Sequence, residues 1–330
     1  MGSLQSYSSR SSTFTFGLLA LLSAGIADAQ TNYPEKPIRW VLPLAPGGGA
    51  EIVGTTVASK LTKALKQPVV VEFRPGGAGA VGSELIARAS PDGYSLLQGQ
   101  LAWISIYPAL HVKPAYEPLR DFVPISRLAF VTQILLVHPS LPVKSVKKFV
   151  ALAKRKPGDI HYGAAGYGSG PHLAMEWIKG ATGINIVHIP IESTTATFSA
   201  IVTGNTQAYF AAAPGALPRV KTGTLRAIAM GGAQRSPDLP DLPTVAESGI
   251  PGFEYMVWYG LHAPAKTPKD IIDKLNTEVV KILKDPETIR QLASRGAEAS
   301  PTTSEAFAKF LHEDRERWKS VVNTAGIKAN

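Results

Sequence analysis

Two glycine-rich turns and one serine–histidine pair are the places in this 330-residue chain where residue type and spacing point to chemistry. The turns cover residues 43–49 (PLAPGGG) and 74–79 (RPGGAG), and each separates an apolar run from a stretch with helical periodicity. Such a corner presents consecutive backbone N–H groups to open space, and glycine admits a ligand close to the main chain. The helix that follows adds partial positive charge at its start. Two such corners on successive strand–helix units read as a site for one anion held by main chain. A phosphate, a reaction intermediate and a carboxylate all fit that description.

Other chemistry fits less well. Gly77-x-Gly79-x-x-Gly82 has the spacing of a dinucleotide fingerprint, which also needs an acid at the end of the next strand to grip a ribose. Gln98 and Gly99 stand there instead. No Walker-type lysine follows either corner. Ser169 is the candidate nucleophile, with His172 three residues on, but the window Tyr167-Gly168-Ser169-Gly170-Pro171 is not the G-x-S-x-G elbow, and no orienting acid is identifiable. The plainer reading has Ser169 donating to a ligand or capping a helix, with His172 packed nearby. The seven histidines are dispersed, and His312-Glu313 lies in an H-E-x-x-E run without the second histidine of a zinc helix. We therefore expect no metal and no cofactor. The absence of cysteine excludes disulfides and thiolate chemistry.

With 45% apolar and 18% charged residues, the chain has an ordinary globular composition and enough length for two cores. Its first 29 residues read as a secretory signal, with Arg10, an apolar stretch over residues 14–26, and an Ala27-Asp28-Ala29 cleavage site. That stretch is short for a membrane span. Without a cysteine for a lipid anchor, the mature protein is expected to be soluble and periplasmic. The formal charge of +9 survives removal of the segment, which holds one Arg and one Asp. The clusters Lys144/Lys147/Lys148 and Lys154-Arg155-Lys156 read as solvated helix faces and not as a nucleic-acid stripe.

The elements that must position the corners follow from hydrophobic spacing. Residues 38–44, 68–73 and 94–98 are strand-like, with helical stripes at Val53/Val57/Leu61/Leu65 and Val81/Leu85/Ala89 between them. That is βαβαβ, hence a parallel sheet covered by helices. A second α/β unit starts near Val131. It has strands at 134–138, 160–164, 185–189, 207–211 and 225–230, a helix capped by Ser145, and another helix from Pro171 behind the small-residue turn 166–170 (GYGSG). Residues 253–263 read as a further strand, and helices at 268–284, 286–294 and 304–324 close the chain. These helices should return to the first unit, so that the chain crosses twice between two domains and leaves a cleft between them. The expected division is lobe 1 over 30–131 and 253–330, and lobe 2 over 132–252.

The segments YPEKPIRWVLPLAPGGGAEIV, QPVVVEFRPGGAG, SPDGYSLLQG, AAGYGSGPHLA, LPTVAESGIPGFE and AGIKAN, in this order along nearly the whole mature chain, resemble the Bug/TctC-type extracytoplasmic solute receptors of tripartite tricarboxylate transporters. The resemblance implies an α/β, two-lobed periplasmic binding protein of the type II, Venus flytrap kind, hinged on two crossing strands. It implies a receptor and not an enzyme, which passes a small carboxylate to integral membrane permease subunits. The mature protein is expected to be a monomer, and export together with the scattered basic residues argues against a nucleic-acid partner. In that family the ligand carboxylate is held largely by main chain of the first lobe's glycine loops. Carried onto this chain, those are Leu44, Ala45, Pro46, Gly47, Gly48 and Gly49, with Gly77, Ala78 and Gly79. The second lobe is expected to contribute Tyr167, Gly168, Ser169, Gly170 and His172, together with Ile191, Glu192, Ser193 and Ala212. Trp103 joins them from the end of the third strand.

This chain departs from the family pattern where selectivity should lie. Ala50-Glu51 replaces the usual Thr-Asp, Phe73 an Asn, and Ile191-Glu192-Ser193 a Tyr-Lys-Gly. Alanines 211–213 occupy a segment where many members carry an aspartate, and Leu101 and Trp103 stand where small hydroxyl residues are usual. The far end of the cleft should thus be apolar and aromatic, with no acid to receive an ammonium group. The expected ligand is an aromatic carboxylate or dicarboxylate, such as a benzene dicarboxylate. Alternatives are an aliphatic di- or tricarboxylate, a sensory accessory in place of a transport receptor, or an exported serine hydrolase using Ser169 and His172.

Overall fold

The computed structural model describes residues 32–44, 46, 49–111, 114–164, 166–191, 193–236 and 239–326. From Pro34 to Gln100 the chain alternates strand and helix as the spacing predicts. Strand β1 (Ile38–Leu42) feeds α1 (Gly49–Leu65), and β2 (Val69–Phe73) leads through a single 3₁₀ turn at Gly77–Gly79 into α2 (Ala80–Ala87) and β3 (Ser95–Gln100). β1 pairs in parallel with both β2 and β3. Helix α1 buries Val53, Val57, Leu61 and Leu65, and each such side chain stabilises the fold by about 1.5–3 kcal/mol when fully buried.

After β3 the chain enters a helical passage the sequence reading lacks: a π-helical turn at Ala102–Ile106 that runs into α3 (Tyr107–Leu110). A short α4 (Pro118–Asp121) then opens the longest strand, β4 (Phe122–Val137). Sequence patterning places a strand only at its far end. The earlier half, FVPISRLAF, contains a proline and bulges twice against its partner, which hides the alternation.

The second unit comprises α5 (Val146–Arg155), β5 (His161–Ala164), α6 (Gly170–Thr182), β6 (Val187–Pro190), α7 (Thr194–Val202), β7 (Ala208–Ala212), α8 (Ala213–Lys221) and β8 (Arg226–Met230). Then come β9 (Met256–Pro264), α9 (Lys269–Lys284), α10 (Pro286–Ala293), β10 (Glu298–Ala299) and α11 (Ser304–Ala325). Helices α7 and α8 escape sequence reading for local reasons. The first, TTATFSAIV, is β-branched and starts on a cap in which Ser193 accepts from the Ala196 N–H. The second carries Pro218 within it.

β4 belongs to two sheets. Its residues Phe122 to Thr132 pair with β9, and β9 pairs with β3. From Gln133 to Val137 it pairs instead with β7, and β8 lies on its other side. The sheet path is therefore β2-β1-β3-β9-β4-β7-β5-β6, with β8 and β10 also on β4. The chain returns beside this strand. The Gly231 N–H donates to Gln133 O at 2.7 Å, and the Tyr255 N–H donates to Gly231 O at 2.7 Å. The two crossings thus touch, and only glycine fits at 231, where a Cβ would lie 2.2 Å from Tyr255 O.

Candidate functional site

A cleft of about 1420 Å³ lies along this crossing. Its floor is built by period-two faces of the two crossing strands, with Val131 and Gln133 from β4 and Tyr255, Val257 and Tyr259 from the return segment and β9. Gln133 and the three aromatic and apolar partners beside it are residues that sequence reading missed. The alternation in FEYMVWYG was the available signal, but nothing in it says which face looks onto a cleft.

Five helices begin at this cleft. Gly49 starts α1, Gly79 precedes α2, Gly170 starts α6, Thr194 starts α7 and Ala212 precedes α8, and all five residues line it. Each helix start leaves N–H groups without intrahelical partners and carries about half a positive charge. Helices α2, α6 and α8 begin with no side-chain cap hydrogen bond. Among the described residues that line the cleft, none is Lys, Arg, Asp or Glu. The arrangement offers main-chain donors to an anion without a countercharge on the wall. Behind one wall residue, the Arg219 guanidinium stacks 4.1 Å over the ring of Phe198.

The second corner is shaped by three left-handed glycines, Gly76 (φ 134), Gly77 (φ 54) and Gly79 (φ 94), a conformation that other residues adopt only at a cost. Gly79 also lies against Trp103, since a Cβ there would stand 2.7 Å from Trp103 Cε3. Trp103 is 4% exposed, and its indole N–H donates to Gln98 O at 3.2 Å. Gln98, buried where a dinucleotide fold needs an acid, has its side chain committed. It accepts from Trp40 Nε1 at 2.9 Å and donates to Ala50 O at 2.8 Å, which ties the start of α1 to the strand beneath Trp103. The π-helical turn that carries Trp103 is pinned from behind. Asp314 on α11, itself buried, accepts from Ser105 Oγ at 2.6 Å and from Trp258 Nε1 at 2.9 Å. Burial pushes the Asp314 carboxyl above its ordinary range despite those donors.

The aromatic wall is larger than Trp103 and Tyr167 alone. Tyr107, Phe198, Tyr209, Tyr255 and Tyr259 also face the cleft. Burial raises the phenols of Tyr255 and Tyr259 well above the usual value, and it pushes that of Tyr209 to about 12. These hydroxyls stay protonated and can donate to an anion.

Of the residues named from sequence, Leu44, Gly49, Gly79, Trp103, Tyr167, Gly168, Ser169, Gly170 and Ala212 line the cleft. Ala45, Gly47, Gly48 and Glu192 lie outside the described residues. Gly77 and Ala78 fall in the 3₁₀ turn, where Gly77 is exposed, and Pro46 is exposed as well. Ile191 packs behind β5, where its N–H donates to Ala164 O, and Ser193 caps α7. His172 is placed behind the turn at 166–170, not on the cleft wall. It is 2% exposed, its Nδ1 accepts the Gly168 N–H at 3.1 Å, and it borders a separate hollow of about 350 Å³ with Glu176, Lys179 and His188. With Nδ1 engaged by main chain, and with burial and His188 lowering the imidazole to about 4, it is a poor general base for Ser169.

A β-sheet pair sharing one strand, with helix starts converging on a cleft between them, is the architecture of an α/β two-lobed binding protein. Comparison with solved structures shows the same fold. A protein of R. palustris solved with adipate superposes with a TM-score of 0.80 at 29% identity, over 90% of this chain and 99% of that one. MatC of Rhodopseudomonas palustris with bound malate superposes at 0.76 and 28% identity, over 88% and 100%. The chain belongs to the tripartite tricarboxylate transporter receptor family, whose model matches residues 53–327. Protein BugT of Bordetella pertussis is 31% identical over 311 residues, which is 93% of this chain and 95% of that protein. Members of the family are solute-binding receptors.

Proposed function

We propose that this receptor captures an aromatic carboxylate or dicarboxylate between its two lobes and hands it to the permease subunits of a tripartite transporter. The observation that carries the reading is the cleft itself, on which five helix starts converge, with no Lys, Arg, Asp or Glu among its described lining residues and aromatic rings on its walls. One carboxylate would rest on the amides at the start of α1 and α2. The ring would lie against Trp103 and the tyrosines, and a second carboxylate would meet the starts of α6, α7 and α8. A missing wall acid disfavours any ligand with an ammonium group. Residues 30–131 and 253–330 form the first lobe of this reading and 132–252 the second, with residues 1–29 as the export signal of a monomeric periplasmic protein. Among the described residues, no helix is long and apolar enough to cross a membrane.

Closure follows if the ligand binds the closed arrangement better than the open one, since equal affinity would shift nothing. A thermal-shift panel of benzoate, the phthalate isomers, adipate, malate, citrate and glutamate tests the proposal, because a ligand bound by the folded state alone raises the melting temperature. We expect the largest shift from a benzene dicarboxylate. Stabilisation by glutamate alone would overturn it. A second reading, an aliphatic dicarboxylate, is favoured by the adipate and malate of the two structural neighbours. In that case adipate outranks every aromatic compound in the same panel.

A further inference from the structure

The ligand-facing turn at residues 166–170 is held from behind by a histidine that does not line the cleft. Gly168 has φ +79, and a Cβ there would stand 2.4 Å from Leu110 Cδ1, so the turn is pressed against α3 on its open side. On its inner side the Gly168 N–H donates to His172 Nδ1 at 3.1 Å. That bond exists only while Nδ1 is unprotonated, because an imidazolium would set one N–H against another. Every element packed on the ring contributes a titratable neighbour. Glu176 and Lys179 come from α6, with Glu176 Oε1 4.0 Å from His172 Nε2. From β6, the His188 ring lies 4.4 Å away between centroids. Tyr162 of β5 stacks on the ring at 6.3 Å, and Tyr167 of the turn meets it edge-on at 5.2 Å. Glu176 is already engaged, since Oε1 takes the Tyr162 hydroxyl at 2.6 Å and Lys179 Nζ at 2.7 Å. It offers little to a second cation, and burial together with His188 disfavours the imidazolium further.

We propose that His172 is a positioning residue whose neutral imidazole, acting through the Gly168 amide, holds the 166–170 turn in its ligand-receiving shape, so that ligand release is linked to protonation of a residue outside the cleft. The proposal rests on the carboxylate-receptor reading, and its test separates the two. His172→Asn keeps an acceptor oxygen near the position of Nδ1 but does not titrate, whereas His172→Leu removes the acceptor. With terephthalate as probe in calorimetric titrations at pH 7, the Asn variant should bind within about threefold of wild type. The Leu variant should be weakened about tenfold, the scale of one lost buried hydrogen bond. Between pH 7 and pH 4 wild type should lose more affinity than the Asn variant, and the ligand's own titration cancels in that ratio.

A ligand-free readout runs beside it. The Gly168 amide resonance should titrate together with the His172 ring in wild type, be flat in the Asn variant, and show faster hydrogen exchange in the Leu variant. Equal affinities for wild type and the Leu variant, or superimposable pH profiles for wild type and the Asn variant, would overturn the proposal. If terephthalate does not bind wild type, the aromatic reading fails, and the Gly168 resonance alone decides the role of His172. A Gly168 amide indifferent to the ring's titration overturns it.

Discussion

Gly79→Ala isolates the contact that gives the cleft its shape. Two costs meet at this position. The backbone stands at φ 94, and a left-handed conformation costs a residue with a Cβ about 1–2 kcal/mol. The added methyl would also lie 2.7, 2.8 and 3.0 Å from three atoms of Trp103. Trp103 cannot retreat freely, since its indole N–H is bonded to Gln98 O and the residue is buried. Overpacking of that kind costs about 1–3 kcal/mol more. Gly183→Ala is the matched control, because Gly183 has φ 67 at the end of α6 and no atom within 4 Å of the added Cβ. Urea unfolding followed by tryptophan fluorescence should give a loss of about 1–2 kcal/mol for the control and about 2–5 kcal/mol for Gly79→Ala. Affinity for the carboxylate should fall only in the latter, by about tenfold for each 1.4 kcal/mol by which the displaced ring and the start of α2 misfit the ligand. Equal destabilisation by the two substitutions, with binding intact in both, would refute the claim that Gly79 and Trp103 are packed to one another's shape.

Three further outcomes follow from neighbouring features. Trp103→Leu should reduce the preference for an aromatic over an alkyl carboxylate by about threefold to tenfold, the worth of one ring–ring contact, as read from paired calorimetric titrations. His262 is buried, and burial lowers its imidazole from 6.5 to about 4, so the unfolded chain binds a proton that the folded chain refuses in this interval. Its contribution is intact above pH 6.5 and lost as pH falls toward 4, a decline of about 3 kcal/mol that His262→Gln should abolish in a pH series of urea midpoints. Asp314→Ala removes the acceptor of both Ser105 and Trp258. It should cost about 2–4 kcal/mol, whereas Asp314→Asn, which keeps one acceptor oxygen, should cost less than half of that in the same assay.

The parallel sheet of the first unit was legible because buried parallel strands are apolar runs and the helices between them carry a clear stripe. The second glycine corner was legible because positive φ demands glycine, and Gly76, Gly77 and Gly79 declare it in the letters themselves. What stayed hidden was relational. FVPISRLAF could not announce a strand that changes partners between Thr132 and Gln133, because pairing is a property of the neighbours. Tyr255, Val257 and Tyr259 were assigned to a strand but not to a cleft, since period two says that a face exists and not what lies above it. His172 illustrates the converse. Its place three residues after Ser169 suggested shared chemistry, while the first turn of α6 carries it to the inner side of the wall and into contact with the Gly168 amide.

The strand shared by both sheets has a mechanical consequence. With the lobes divided as proposed, a rotation of one against the other would be absorbed by the few residues around Gln133, Gly231 and Tyr255, where the two crossings are stitched by 2.7 Å hydrogen bonds. The side chains of Gln133 and Tyr255 are also the cleft floor. In the proposed function, a ligand seated there would be a splint laid directly over the joint, stiffening the pivot as well as bridging the walls. Affinity and bending stiffness are then set by the same residues, so a substitution at Gln133 or Tyr255 changes both together, while one at the rim, such as Tyr167, changes only the first.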